Sequence, residues 1–299
     1  MNLKMHVLRL IVLATTVLAP TAASALTDQE RADAIVALPW VQEGTYKLPA
    51  SNSSIALPEG YMLVLGEGAR RFATLLDATD EPNVEAVVVN QDLDQIRFES
   101  FREDGYVSID DWSELDPAPL LRTVSNNTEN VNSKRRSEGL PELHVAGWLQ
   151  QPALDRQTDM VFWAIELTEG DGRTVNSIAL RLGRDGFEKL TWVVDRSKYR
   201  PVSGQLDVML RAHSFDPGYR YADHQSGDKT ALYGIAGLVA AVAGAKAVKV
   251  AAGAGLLVLL KKFGVFVFVA IGAVLYRLKN LFRRRPPPPP PADRLEPKV

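Results

Sequence analysis

The middle of the chain alternates short apolar runs with turn residues. Ser54–Leu57 and Tyr61–Leu65 read as two strands joined by the Pro58-Glu59-Gly60 turn. Ala69–Leu76 has the spacing of a short helix, and Val84–Val89 is a continuous apolar run, which predicts a buried strand. Ile96–Phe101 and Tyr106–Ile109 flank Asp104-Gly105, a hairpin signal. A helix is predicted over Ala118–Glu138, although its many Asn and Ser residues are poor helix formers. Four strands follow, at Leu143–Leu149, Met160–Leu167, Thr174–Leu182 and Phe187–Val194, with turns at Asp171-Gly172 and Asp185-Gly186. That order predicts an antiparallel meander, and a further helix is expected over Val202–Ala212. Strands in hairpin order between groups of helices define an α+β fold with a mainly antiparallel sheet and flanking helices.

The two ends follow different patterns. Lys4 and Arg9 precede a short apolar stretch, Leu8–Leu18, and Ala23-Ser24-Ala25 has the form of a cleavage site. Residues 1–25 therefore read as a secretory signal peptide. Thr27-Asp28-Gln29-Glu30 is then expected to cap a first helix. At the other end, residues 232–282 are rich in apolar and small residues and read as a membrane-anchor region, a C-terminal transmembrane helix. Two stretches compete to cross. Leu232–Leu260 contains Lys246 and Lys249, and Phe263–Tyr276 is more apolar but short for the roughly 20 residues a span needs. A crossing over about 256–278 combines parts of both, with Lys261 and Lys262 tolerated at its edge. Arg277, Lys279 and Arg283–Arg285 follow and place that end in the cytoplasm. Residues 283–299, with Pro286–Pro291, form a basic, extended tail.

Charge sharpens this division. Residues 26–231 hold 21 Lys and Arg against 34 Asp and Glu, whereas residues 232–299 hold 11 against 2. An acidic body argues against nucleic acid as a partner, and a basic apolar end fits membrane lipid. The chain has no cysteine, which excludes disulfides, thiolate metal sites and cysteine catalysis. Residues 26–231 are thus expected to be an exported, periplasmic α+β domain.

Catalytic signals are sparse. Gly66-Glu67-Gly68 lacks the further glycines and the lysine of a phosphate loop. No serine sits in a nucleophile elbow. His144, His213 and His224 are far apart in the chain and predict no metal site, and no cofactor is called for. Asp110-Asp111 reads as a solvated face or helix cap. The most distinctive segment runs from Phe215 to Gly234, with Tyr219, Tyr221, Asp223, His224, Gly227, Asp228, Lys229, Tyr233 and Gly234 as candidate binding residues. The expectation is a juxtamembrane motif, in which Gly227-Asp228 cap the anchor helix and the tyrosines set its depth; a partner-docking loop is the alternative.

The string Tyr221-Ala-Asp223, then Gly227-Asp228-Lys229, then Tyr233-Gly234, leading into an Ala/Gly-rich segment, resembles a bacterial family of membrane-anchored proteins classed as a domain of unknown function. The resemblance implies an inner-membrane envelope protein and brings no activity. The first functional reading is a non-enzymatic binding or scaffolding module, with an envelope protein as partner or self-association through the glycine-rich helix. The alternatives are a membrane-tethered periplasmic hydrolase with a carboxylate site, and an accessory subunit of a transporter.

Overall fold

The computed structural model describes residues 28–76, 83–90, 95–137, 141–200 and 210–244. The signal segment, most of the helix expected over Val202–Ala212, the crossing at 256–278 and the polyproline tail lie outside them.

In chain order the elements begin with α1 (Asp28–Val36), β1 (Val41–Gln42), β2 (Thr45–Leu48), β3 (Ser53–Ala56), β4 (Tyr61–Leu65) and α2 (Gly66–Leu75). Next come β5 (Val84–Asn90), β6 (Gln95–Arg102) and α3 (Pro117–Ser137). The meander is β7 (Leu143–Asp155), β8 (Met160–Glu169), β9 (Gly172–Leu182) and β10 (Phe187–Asp195), and β11 (His213–Phe215) and α4 (Ile235–Val242) complete the described chain. Eight strands form one antiparallel sheet in the order β1-β4-β5-β6-β10-β9-β8-β7. A second, three-stranded sheet has the order β11-β3-β2. The α+β class and its wide antiparallel sheet are as expected.

The two strands and the turn expected around Pro58-Glu59-Gly60 are present without forming a hairpin, and the hairpin expected at Asp104-Gly105 fails. β3 and β4 do not pair across Pro58-Glu59-Gly60; β3 joins the small sheet and β4 the large one. The turn carries the chain from one layer to the other instead of reversing it within one. Asp104-Gly105 makes no hairpin either. β6 pairs with β5 and β10, and Tyr106 meets Thr230 in an isolated bridge. Gly105 has φ +99°, and a side chain there would collide with the Lys229 carbonyl. Its glycine is needed for close approach of two chain segments.

The four helices named above cover one face of the large sheet. α2 buries Ala69, Phe72, Ala73 and Leu75, the stripe expected of an amphipathic helix. Phe72 lies between Trp40 and Phe98, with ring centroids at 5.6 and 6.1 Å. α3 turns a partly polar stripe inward, which accounts for its weak apolar periodicity. Asn132 accepts from the Leu143 amide and donates to its carbonyl, both at 2.9 Å, Arg135 pairs with Glu169, and Asn127 donates to the Gly244 carbonyl at 2.7 Å. The side chains that lower helix propensity here are the ones that clip α3 to β7 and to the end of α4.

α4 changes the domain boundary. Ile235, Leu238, Val239 and Val242 are fully buried, in the same core as Val124 of α3 and Trp163 and Leu180 of the sheet. The expected break at residue 231 is therefore misplaced, because the folded domain runs on to at least residue 244. A crossing over Leu232–Leu260 is incompatible with that burial. A helix apolar on all sides belongs in a membrane or in a protein core, and the described part of this one lies in the core. Among the described residues no helix is long and apolar enough to cross a membrane. Two glycines of the stretch expected to mediate self-association lie within the domain: Gly234 against Asp111 and Gly244 against Asn127.

Candidate functional site

The segment from Phe215 to Gly234 forms a clasp over one end of the large sheet. Tyr221 is buried, donates to the Val107 carbonyl at 2.9 Å and stacks on Tyr106 at 4.5 Å. His224 stacks on Tyr106 at 3.8 Å, and its Nδ1 lies 3.4 Å from Asp228. Asp223 accepts from the amides of Gly218 and Arg220 at 2.8 and 3.0 Å. Asp228 takes both arms of Arg184, at 2.7 and 2.8 Å, and the Gln225 amide at 2.7 Å. The Arg184 pair, reinforced by that amide, holds the Asp228 carboxyl down at about 2. Gly227 has φ +100°. Lys229 donates to the Glu103 carbonyl at 2.8 Å, and Tyr233 donates to buried Asp104. Burial and that acidic neighbour both raise the Tyr233 pKa.

The cap expected at Gly227-Asp228 is elsewhere. α4 starts at Ile235 with Gly234 as its N-cap, and Asp111 accepts from the Ala236 amide at 3.2 Å. Asp228 is instead committed to Arg184 on the turn between β9 and β10. The structure brings the nine candidate residues together, with their polar groups turned mostly toward one another and toward loop 103–111. Tyr219, 38% exposed, faces outward. Of the other histidines, His144 is exposed and 2.8 Å from Glu129. Gly68 packs on Val64 and Pro39 at the start of α2, where a larger side chain would collide with Val64.

A second assembly was not foreseen from the chain. Arg97 and Glu99 of β6, Glu188 of β10, Arg181 of β9 and Glu85 of β5 lie between the two sheets, with His213 of β11 above them. Register brings them together: Glu99 stands opposite Ala86 and Leu190, Arg97 opposite Val88, and Arg181 opposite Glu188. Glu85 falls at the one irregularity between β5 and β6. Glu99, Glu188 and His213 are 0% exposed. Arg97 pairs with Glu99.

Burial dominates the protonation of this cluster. It raises Glu188 well above the usual carboxylate range, and the neighbouring Glu85 and Glu99 raise it further. Burial also raises Glu99, opposed by Arg97. Glu85 rises for the same reason, with Ser51, Glu188 and Ala50 pulling the other way; its oxygens lie toward these groups without good hydrogen-bond geometry. His213 is pushed well down by burial and by the two arginines, so it is neutral. Glu188 is the most strongly raised of the three carboxyls, and the Arg97 and Arg181 guanidiniums oppose the rise of Glu99. A buried ionic group without a partner costs several kcal/mol, about 3–5 when one partner of a pair is removed.

Beside the cluster a cavity of about 140 Å³ opens between the β2–β3 turn and the end of the large sheet. It is lined by Ala50, Ser51, Asn52, Phe101, Glu103, Asp185, Phe215 and Tyr219. Ala50 and Ser51 separate it from Glu85, and Phe101 stands opposite Glu188 in the sheet. Among the described residues no group of three or more His, Asp or Glu is arranged to hold a metal ion.

Fold and clasp together define an α+β domain whose wide antiparallel sheet carries helices on one face and a small sheet on the other. The chain belongs to the family described as "Protein of unknown function (DUF2167)", whose model matches residues 40–272. The match runs through the clasp and α4 rather than stopping at residue 231. No curated protein matches. Among solved structures the chain is similar to the solution structure of cyanobacterial PsbP (CyanoP) from Synechocystis sp. PCC 6803, at 13% identity, over 58% of this chain and 92% of that one, with a TM-score of 0.36.

Proposed function

We propose that this chain is an exported envelope protein, tethered to a bacterial inner membrane, whose folded domain is a binding or scaffolding module. The cavity beside the β2–β3 turn carries the reading. Its open lining offers groups that hold a ligand, while Glu99 and Glu188 are sealed behind its wall at 0% exposure. An acid–base catalyst must come within about 2.6–3.2 Å of the group it serves, and these two reach no opening.

The tether rests on the sequence, and the new boundary simplifies it. With α4 in the domain, Lys246 and Lys249 follow it in the chain, and the remaining apolar run is 250–276 with Lys261-Lys262 inside it. This supports one crossing with Arg277–Arg285 on the cytoplasmic side. It also weakens the transporter-subunit reading, which needs Lys246 and Lys249 in mid-membrane. The hydrolase reading keeps one favourable observation, the raised pKa values of Glu85 and Glu188 beside the cavity.

Reporter fusions after Leu260 and after Arg285 test the topology: a cytoplasmic reporter is expected to work at Arg285, and periplasmic activity there would overturn the single crossing. Co-purification of the full chain from native membranes, by a C-terminal tag, tests the module. A stoichiometric partner is expected; recovery of the chain alone speaks against scaffolding.

A further inference from the structure

We propose that the cavity beside the β2–β3 turn is a binding site for a small organic cation, an amine or quaternary ammonium head group. The inference rests on the binding-module reading above and names the ligand class of that same cavity. Three observations carry it.

The first is the lining. Phe101 and Phe215 meet edge to face at 6.4 Å, and Tyr219 stands exposed at the rim. Aromatic faces attract a weakly hydrated cation. The second is negative charge, which Arg184, bound to Asp228, offsets at Asp185 only through space. Glu103 and Asp185 line the same cavity, and among the described residues neither carboxylate has an ion pair. The neighbouring cations are committed elsewhere: Lys47 to Asp216 at 2.7 Å, Arg184 to Asp228, and Lys229 to the Glu103 carbonyl at 2.8 Å. The third lies behind the wall. Glu85, 7% exposed, turns toward Ala50 and Ser51, and neither of its oxygens has a hydrogen bond. Its carboxylate adds negative potential to the inner end of the cavity without entering it.

Size and hardness narrow the ligand. The cavity, at about 140 Å³, far exceeds the roughly 10–15 Å³ that a single water needs on that measure and has room for a methylated ammonium group. Calcium or magnesium requires about six or more oxygens, and among the described residues no group of three or more His, Asp or Glu is arranged to hold a metal ion. A bound cation would also stabilise the ionised form of Glu85, whose pKa is raised by burial. Binding is therefore expected to release protons at a pH where Glu85 is partly protonated.

The test is titration calorimetry on the full chain in detergent, with tetramethylammonium chloride as probe, sodium chloride as the salt control and tert-butanol as a neutral molecule of similar shape. Saturable binding of tetramethylammonium alone is expected. Asp185→Asn and Glu103→Gln should each weaken it, and Tyr219→Ala should weaken it about two- to fivefold. Tyr219 is exposed, so its replacement leaves the fold intact even if a carboxylate variant does not. No saturable binding overturns the proposal, as does equal binding of tert-butanol or tetramethylammonium binding untouched by all three substitutions. A stoichiometric protein partner found alongside such a failure would leave the module reading standing and remove only the cation site.

Discussion

Replacing Leu238 by Ala tests where the folded domain ends. Leu238 is 0% exposed and packs in the core shared by α3, α4 and the sheet. Removing three buried carbons from a leucine costs about 2–5 kcal/mol, from lost transfer energy plus the cavity left behind. For a domain of this size each kcal/mol lowers the melting temperature by roughly 2–4 °C, so a mid-range cost of about 3 kcal/mol predicts a fall of about 6–12 °C. Leu232, six residues earlier in the same apolar stretch, is 69% exposed. Its replacement by Ala should cost within about 0.5 kcal/mol and shift the transition by about 2 °C at most. The assay is thermal unfolding of the full chain in detergent, followed by near-ultraviolet circular dichroism, with membrane retention measured in parallel. Equal shifts for the two variants would refute the assignment, as would an unchanged transition for Leu238→Ala with loss of membrane retention.

Three further outcomes follow from the clasp and the buried cluster. Asp228 has a folded pKa depressed to about 2 by Arg184, so its contribution is present above its unfolded value near 4 and is lost as pH falls toward 2; the stability gap between wild type and Asp228→Asn should close over that range in denaturation series at successive pH values. Glu188 has a raised folded pKa, so its contribution is full below about pH 4 and declines as pH rises toward the folded value; Glu188→Gln, neutral and of similar shape, should gain on wild type above pH 4, and parallel profiles would sink the assignment of Glu188 as protonated. Gly234→Ala drives a methyl group into the Asp111 carboxylate and should cost about 1–3 kcal/mol; adding Asp111→Ala should recover part of that loss, measured as a coupling of about 0.5 kcal/mol or more in a double-mutant cycle.

The meander was legible because its four strands are long, β-branched and punctuated by glycine turns. Val84–Val89 and the α2 segment were legible for similar reasons. α4 was not, because its composition does not distinguish a buried core helix from a membrane helix. Eight apolar residues flanked by glycine satisfy both, and only the partners at Asn127, Asp111 and Ser108 decide between them. The buried cluster escaped for a different reason. In β6, Gln95, Arg97 and Glu99 alternate with Ile96 and Phe98, which reads as a strand with one solvated face. That face is covered by the small sheet, whose short strands come from distant parts of the chain. Nothing local in β6 announces the cover; Arg97-x-Glu99 beside Glu188 and Arg181 becomes one set only once register is known. The clasp residues stand out in the sequence as a group, but what each touches depends on Arg184, Asp104 and Tyr106, which come from distant parts of the chain.

The position of α4 has a consequence for synthesis. β10 ends at Asp195, and the core helix that closes over Trp163 and Leu180 is complete only near Ala243. At about 5–20 residues per second, the ribosome takes roughly 2–10 s to cover that interval. For those seconds the large sheet carries α1, α2 and α3 but lacks α4, and the part of its apolar face that α4 covers is open to chaperones, proteases and other nascent chains. A message truncated anywhere between 196 and 234 would release a domain with every strand of the meander and no means of closing it, which makes this stretch the one where premature termination is expected to be most aggregation-prone.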